Sequence, residues 1–482
     1  MKFEPYNFPH CPEIKHPTLA QRHMVRFQVM NRRAFNLSDM GTMKTLATLW
    51  AADWLMRLVA PVPMRCLIVT TLSTVDEVWA QSIFKNFFGQ RTFAILHGSE
   101  KKRLEELAKP VDFYIMNYDG AKVGTKKDGY KTKFIPGGFA ETIAGRKDIQ
   151  IVAVDEASAY KHANTARNKI FRRLFSDRAY IWALTGTPTP NGPPDAYGLG
   201  RLLGKTNGET YTAFHHRTMI QIDNYRWVPA RGGYDAAREL LQPAIRFALQ
   251  DIWDGPALTT QRRSVALTQD QHDIIESLRT DFVACVSQHG IDSEIVAVNA
   301  AAVRIKCLQV SLGAIYDENH KVYRIDNAPR YNELLQVIEN TSRKILIFVP
   351  FTSIVDLLYE SLKKQFTIER VTGATSRESR KTIFRDFQER PDPRILIADP
   401  GTMAHGVNLY AASIVVWYGP TDKAELYGQG NSRAHRPGQK HPVTVVQLVS
   451  NKIERQCFDR LQSKQSLQGL MLEAVKEGWS WT

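Results

Sequence analysis

Cysteine pairing is the first thing this chain lacks. Its five cysteines (Cys11, Cys66, Cys285, Cys307 and Cys457) stand far apart and form no Cys-x-x-Cys pair. That speaks against a zinc ribbon or a disulfide framework and fits a reducing compartment. Long apolar runs are also missing: none approaches the roughly 20 residues of a membrane-spanning helix. The N-terminus, MKFEPYNF, has no apolar signal-peptide core. A soluble, cytoplasmic protein without membrane association is expected. Biased low-complexity tracts are absent, and so is any acidic excess: 63 Lys and Arg face 49 Asp and Glu, for a net charge of +14.

What is present is globular. The 482 residues are 43% hydrophobic and 23% charged, enough for two or three domains with buried cores. The basic balance fits a solvated surface or a polyanionic partner, because Lys and Arg displace counterions from a phosphate backbone. The basic residues form short, scattered clusters: Lys126, Lys127, Lys131 and Lys133; Arg167, Lys169, Arg172 and Arg173; Arg262 and Arg263; Arg377, Arg380 and Lys381. Such scatter suits a long track better than a single tail.

Short Val- and Ile-rich runs recur in two series. The first comprises Cys66–Thr70, Phe113–Asn117, Ile149–Val154 and Tyr180–Leu184; the second comprises Ile345–Val349, Ile395–Ala398, Ile414–Trp417 and Val443–Leu448. Runs apolar on both faces and separated by helical stretches predict parallel sheets covered on both sides. The fold class is therefore α/β, with two lobes. Between about 200 and 340 clear strand runs are scarce. Gln269–Val286 and Glu294–Leu312 have helical spacing, as does the C-terminal stretch Glu454–Glu477. The expected division is residues 1–240 and 241–482, with a helical insertion at about 265–325.

Arg33–Leu37 reads as a strand running into Ser38-Asp39-Met40-Gly41-Thr42-Met43-Lys44-Thr45 and then a helix to about Leu58. A strand, a tight loop and Lys-Thr at a helix start can cradle phosphate. Free backbone N–H groups, the lysine on β/γ oxygens and the threonine hydroxyl on Mg²⁺ all contribute. Glycine is wanted where Ser38 and Met43 stand, so an ordinary strand–turn–helix stays open. Asp155-Glu156 follows an apolar strand. It can reach Mg²⁺ and polarise a water, or it can cap a helix. Leu184-Thr185-Gly186-Thr187-Pro188 is either a turn or a hydroxyl-rich loop beside phosphate. Far downstream, Gln429 to Gln439 reads QGNSRAHRPGQ. Its Arg433 and Arg436 are spaced to lie one helical turn apart on one face, and arginine can stabilise charge on a transferring phosphoryl group.

Taken in order, these segments resemble superfamily 2 helicases, and within them the Swi/Snf-type double-stranded-DNA translocases. The resemblance runs from Leu19 to about Glu454. Its most specific match is RAHRPGQ; the wording His405-Gly406-Val407-Asn408-Leu409 and the Arg-Pro-Gly-Gln ending look most like compact bacterial and phage members, which implies the cytoplasm of a bacterium or infected host. The resemblance implies two RecA-like lobes with helical insertions and an ATP-dependent motor acting on double-stranded DNA. ATP and Mg²⁺ would be the cofactors, backbone contacts would be sequence-tolerant, and the motor would act as a monomer. The alternatives are a strand-separating DNA or RNA helicase and a non-catalytic nucleic-acid clamp.

The resemblance also implies roles. Gln21 would read adenine. Gly41, Thr42, Met43, Lys44, Thr45 and Gly406 would bind nucleotide, with Lys44 on the β/γ phosphates and Thr45 and Asp155 on Mg²⁺. Glu156 would activate water, and Arg433 and Arg436 would be arginine fingers with Gln429 nearby. Thr185 and Thr187 would couple turnover to movement. Ser73, Asn117, Thr372 and Thr402 would touch nucleic acid. The sequence departs from the pattern at Met43 and at Ser158, where many relatives have histidine. A tryptophan-asparagine-proline group usual before the arginine motif is replaced by Thr421–Ala424.

Overall fold

The fold comes from a computed structural model that describes residues 6–9, 17–58, 63–128, 131–223, 227–289, 293–316, 321–403 and 408–477. The chain forms two compact units, Met1–Asp254 with Ser466–Thr482, and Gly255–Gln465.

The first unit holds a seven-stranded sheet. Its strands are β1 (Arg33–Asn36), β2 (Arg65–Thr70), β3 (Phe93–Leu96), β4 (Phe113–Asn117), β5 (Ile149–Val154), β6 (Tyr180–Leu184) and β7 (Ala244–Ile245). The order across the sheet is β7-β1-β6-β5-β2-β4-β3, and every neighbouring pair is parallel. Alternation along β2 shows why the run is apolar throughout. Leu67 and Val69 enter one core while Cys66 and Ile68 enter the other, so helices must cover both faces. Helix α1 (Leu19–Met30) packs beside α2 (Lys44–Leu58) in the second of these cores. β7 extends the first sheet beyond residue 240, which carries this unit past the expected boundary.

The second unit is built on a six-stranded sheet. β8 (Leu258–Ser264), β9 (Lys344–Phe348), β10 (Ile368–Val371), β11 (Ile395–Ala398), β12 (Ala412–Trp417) and β13 (Val443–Val449) lie in the order β8-β13-β12-β9-β11-β10, all parallel. Ile345 and Ile347 face one core, Leu346 and Phe348 the other. The expected scarcity of strands before residue 340 is corrected by β8. Its sequence, LTTQRRS, is almost wholly exposed and pairs along one edge with β13, so no apolar run marks it. The helices Gln269–His289 and Ser293–Ser311 occupy the stretch with helical spacing that follows β8. Buried inside this unit, Arg330 donates through Nη2 to both carboxylate oxygens of Glu454 at 2.7 Å.

Among the described residues, no helix is long and apolar enough to cross a membrane. Cys66, Cys307 and Cys457 are free and buried, and among the described residues no three His, Cys, Asp or Glu side chains gather into a metal cluster.

Candidate active site

The candidate residues of the first unit gather at the C-terminal ends of four adjacent strands. Ligands of open parallel sheets bind at such ends. The loop 37–43 follows β1, Thr185–Thr187 follow β6, Asp155-Glu156 follow β5 and Thr70–Thr74 close β2. Strand pairing sets their level: Thr185 N–H donates to Asn36 O at 3.0 Å and Asp155 N–H to Val69 O at 2.9 Å.

The loop after β1 is braced by the segment that follows β7. Leu37 and Asp39 donate backbone N–H to Ile245 and Phe247 carbonyls at 2.8 and 2.9 Å. Phe247 N–H donates to Ser38 Oγ at 3.1 Å. Arg246, buried, pairs with Asp39 at 2.7 Å and also donates to the Phe247 carbonyl at 2.8 Å. Nothing in the sequence around Arg246 announces this brace.

Lys44 opens α2. Its Nζ donates to the Ser38 and Asp39 carbonyls at 2.5 and 2.8 Å, curling over the loop. Burial pulls its pKa below the ordinary lysine value, while Glu156, Asp155 and Asp39 oppose that by attraction. Both carboxylates of the Asp-Glu pair thus favour the charged ammonium. Thr45 follows at the second position of α2, half-buried.

Met43 stands at φ 60, in the left-handed region. Gly41, at φ 84, lies there as well, and Thr42 between them is buried with its hydroxyl donating to Asp39 O at 2.7 Å. The position therefore does prefer glycine, and a side chain there stores about 1–3 kcal/mol of strain. Glu156 is the other strained residue of the site, at φ 44. Tyr118 holds it: the phenol donates to the carbonyl of Asp155 at 2.6 Å and lies 3.2 Å from that of Glu156. Burial raises the Tyr118 pKa well above the usual value, with both carboxylates adding to the effect.

Each carboxylate is oriented by donors. Asp155 Oδ2 accepts from Thr70 Oγ1 at 3.0 Å and Trp79 Nε1 at 2.8 Å. A π-helical turn, Val75–Ala80, carries Trp79. Glu156 Oε1 accepts from Ser158 at 3.2 Å and Thr185 at 3.3 Å. Ser158 thus serves the Asp-Glu pair with a hydroxyl. Gly186 lies flat on the loop: a Cβ there would sit 3.4 Å from Ser38 O and 3.5 Å from Met40 N. Thr187 Oγ1 is buried without a hydrogen-bond partner, an orphan that suits a polar ligand. Gln21 is fully buried on α1, its carbonyl oxygen accepting from the N-cap Thr18 at 2.9 Å.

Ser73 and Asn117 close neighbouring strands, Thr70 being the register partner of Asn117. Ser73 is exposed, and Asn117 Oδ1 is buried without a partner.

In the second unit, Thr372 follows β10 and Thr402 follows its neighbour β11: Thr402 Oγ1 donates to Asp399 O at 2.8 Å and lies 3.5 Å from Val371 O. Gly406 falls outside the described residues. The helix Ala424–Ala434 carries Gln429, which is buried and donates to Glu425 at 3.3 Å, and Arg433, 6% exposed. Arg436 corrects the expected helical pairing. The helix stops at Ala434, because Pro437 disfavours helical backbone at Arg436. Burial pushes the Arg436 pKa down to about 10, with Tyr410 opposing.

Much of the surrounding motif is structural. A Cβ on Gly430 would lie 2.9 Å from the Phe348 ring, and Asn431 accepts from Trp417 Nε1 at 2.9 Å. Gln439 Nε2 reaches the carbonyls of Tyr410, Ala412 and Ala434 at 2.8–3.1 Å.

Comparison with known proteins places this arrangement. The SNF2-related domain matches residues 21–289, and the helicase conserved C-terminal domain matches 329–438. A chromatin-remodeling ATPase INO80, from Vanderwaltozyma polyspora, is 28% identical over 243 residues, 49% of this chain and 14% of that protein. Protein p41 of Acyrthosiphon pisum secondary endosymbiont phage 1 is 25% identical over 486 residues, covering 94% of this chain and 98% of that one. The chain spans 10–14% of the length of the INO80 relatives it matches first. Among solved structures, a Sulfolobus solfataricus SWI2/SNF2 ATPase core in complex with dsDNA is 18% identical, with a TM-score of 0.42, covering 98% of this chain and 95% of that one.

Proposed function

The chain belongs to the SNF2-related family, whose SNF2-related and helicase C-terminal domains are those of nucleic-acid-dependent ATPases, and on that premise we propose that it hydrolyses ATP to move along or remodel double-stranded DNA. The observation that carries the reading is the gathering of Lys44, Asp155, Glu156, Thr185 and an unpartnered Thr187 hydroxyl at adjacent strand ends. A structural turn would not need a half-buried lysine among carboxylates.

In this reading Lys44 binds the β/γ phosphates, which offer its ammonium better acceptors than the two loop carbonyls it now uses. Thr45 and Asp155 hold Mg²⁺, which when bound neutralises charge on the phosphate oxygens. Trp79 and Thr70 keep Asp155 oriented. Glu156 takes the proton of the attacking water, and the Ser158 and Thr185 hydroxyls on Oε1 fix its aim. Gln21 reads the base, and Gly41, Thr42 and Met43 shape the phosphate loop. Gln429, Arg433 and Arg436 serve the transferring phosphoryl group. Arg436 is suited to this, since a guanidinium partly stripped of water gains more from an anion than an exposed one. Thr187 and Thr185 couple turnover to movement. Ser73, Asn117, Thr372 and Thr402 grip the nucleic-acid backbone, which makes binding sequence-tolerant and salt-sensitive.

ATP turnover measured with duplex DNA, single-stranded DNA and RNA at one salt concentration tests the proposal. Stimulation greatest with duplex supports it. Stimulation greatest with single strands or RNA would point to a strand-separating helicase, and no turnover with any of them to a non-catalytic clamp.

A further inference from the structure

A line of hydroxyls runs from the surface of the first unit to Asp155. Ser73 Oγ lies 3.1 Å from Thr71 Oγ1, which lies 2.9 Å from Thr74 Oγ1. Thr74 Oγ1 lies 2.6 Å from Thr70 Oγ1, and Thr70 donates to Asp155 Oδ2 at 3.0 Å. Ser73 is exposed, whereas Thr74 and Thr70 are only 6% and 1% exposed.

Each hydroxyl has one proton to give. Once Thr70 donates to the carboxylate, the direction of every other link follows: Thr74 donates to Thr70, Thr71 to Thr74, and Ser73 to Thr71. Donors aligned head to tail polarise one another, so the last bond is stronger than an isolated one. Thr74 also has an alternative acceptor, because its Oγ1 lies 3.1 Å from the Thr71 carbonyl. The line therefore has a second arrangement, in which Thr74 turns to that carbonyl and Thr70 loses its donor. Trp79 Nε1 keeps hold of the same carboxylate oxygen in both.

We propose that Thr70, Thr71 and Thr74 are positioning residues that couple nucleic-acid binding to the Asp155 carboxylate. A backbone phosphate oxygen that accepts from Ser73 and Thr71 draws their protons outward. Thr74 then swings to the Thr71 carbonyl, and the Thr70 bond to Asp155 Oδ2, no longer strengthened by a donor behind it, weakens and leaves that oxygen freer to serve a metal ion. This rests on the motor reading above, in which Asp155 is a metal ligand and Ser73 a nucleic-acid contact. Binding at the two ends is then linked, and the linkage is reciprocal.

The test compares the full chain with Thr74→Val, which keeps the shape and deletes the hydroxyl, and Thr74→Ser, which restores it. The first readout is duplex affinity, by fluorescence anisotropy of a labelled duplex, with and without Mg²⁺ and a non-hydrolysable ATP analogue. The second is the ratio of DNA-stimulated to unstimulated ATP turnover. The relay predicts that the analogue shifts duplex affinity in the parent and not in Thr74→Val. The stimulation ratio of Thr74→Val should fall about tenfold, because its Thr70 lacks that donor with or without DNA and its unstimulated turnover rises toward the stimulated value, and Thr74→Ser should recover both couplings. Parental coupling in Thr74→Val overturns the relay, and so does a Thr74→Ser as defective as Thr74→Val. If circular dichroism shows Thr74→Val unfolded, Thr74→Ala, which deletes the hydroxyl and adds no bulk, is held to the same two outcomes. A parent unresponsive to nucleic acid overturns the motor reading and the relay together, whereas a responsive parent with a responsive Thr74→Val overturns the relay alone.

Discussion

The side-chain amide of Gln21 donates to the thioether sulfur of Met43 across 3.7 Å. The same Met43 holds the loop after β1 in a left-handed turn at φ 60. One side chain thus occupies the donor of the proposed base-reading residue and strains the backbone of the proposed phosphate cradle.

Met43→Gly should relieve that strain, worth about 1–3 kcal/mol. Glycine gives back roughly 0.5–1 kcal/mol through the entropy of the unfolded chain. Urea denaturation is therefore expected to show a net stabilisation of about 1 kcal/mol. The Gln21 amide loses its sulfur acceptor at the same time, so the KM for ATP should fall. A destabilised Met43→Gly would mean that the packing of the methionine outweighs its strain.

Lys44 predicts a pH dependence. Burial depresses its pKa in the folded chain below the 10.5 of an ordinary lysine. In the window between the folded value and 10.5 the unfolded chain binds more protons, so stability rises with pH there. That contribution is present above the unfolded value and lost as pH falls through the folded one. Lys44→Met removes the penalty. It should be more stable than the parent at neutral pH and should show a flatter rise in melting temperature through the alkaline range.

Arg436→Ala should lower DNA-stimulated turnover by about 10³-fold, the scale of an arginine finger. The fold should survive, because substitution removes a guanidinium whose burial already pushes its pKa down to about 10. Normal turnover by a folded Arg436→Ala would remove it from the catalytic set.

The Arg330–Glu454 pair makes a prediction about architecture alone. Glu454→Ala leaves a buried guanidinium without its bidentate partner and should destabilise the second unit by about 3–5 kcal/mol, read by denaturant melting.

The sheet interiors were legible because their strands are buried on both faces. Ile149–Val154 and Tyr180–Leu184 each form a strand over the whole predicted run. Leu258–Ser264 was not, since an exposed edge strand carries no apolar run and gains its place only by pairing with Val443–Val449. The loop–helix start at Lys44 and the Asp155-Glu156 turn could be read locally. Their supports could not: Arg246 reaches Asp39 from far along the chain, and Thr70 and Trp79 converge on Asp155 only once β2 lies beside β5. The spacing of Arg433 and Arg436 suggested one helical face. Spacing alone could not weigh Pro437, which ends the helix between them.

The central claim, directed movement along intact duplex, is tested most directly by displacement of a third strand from a DNA triplex. With ATP and Mg²⁺ the chain should release the third strand while the duplex strands stay annealed. Lys44→Ala and Glu156→Gln, folded by circular dichroism, should release none. Failure of the parent to release the third strand while it hydrolyses ATP, or release accompanied by separation of the duplex, would contradict the account.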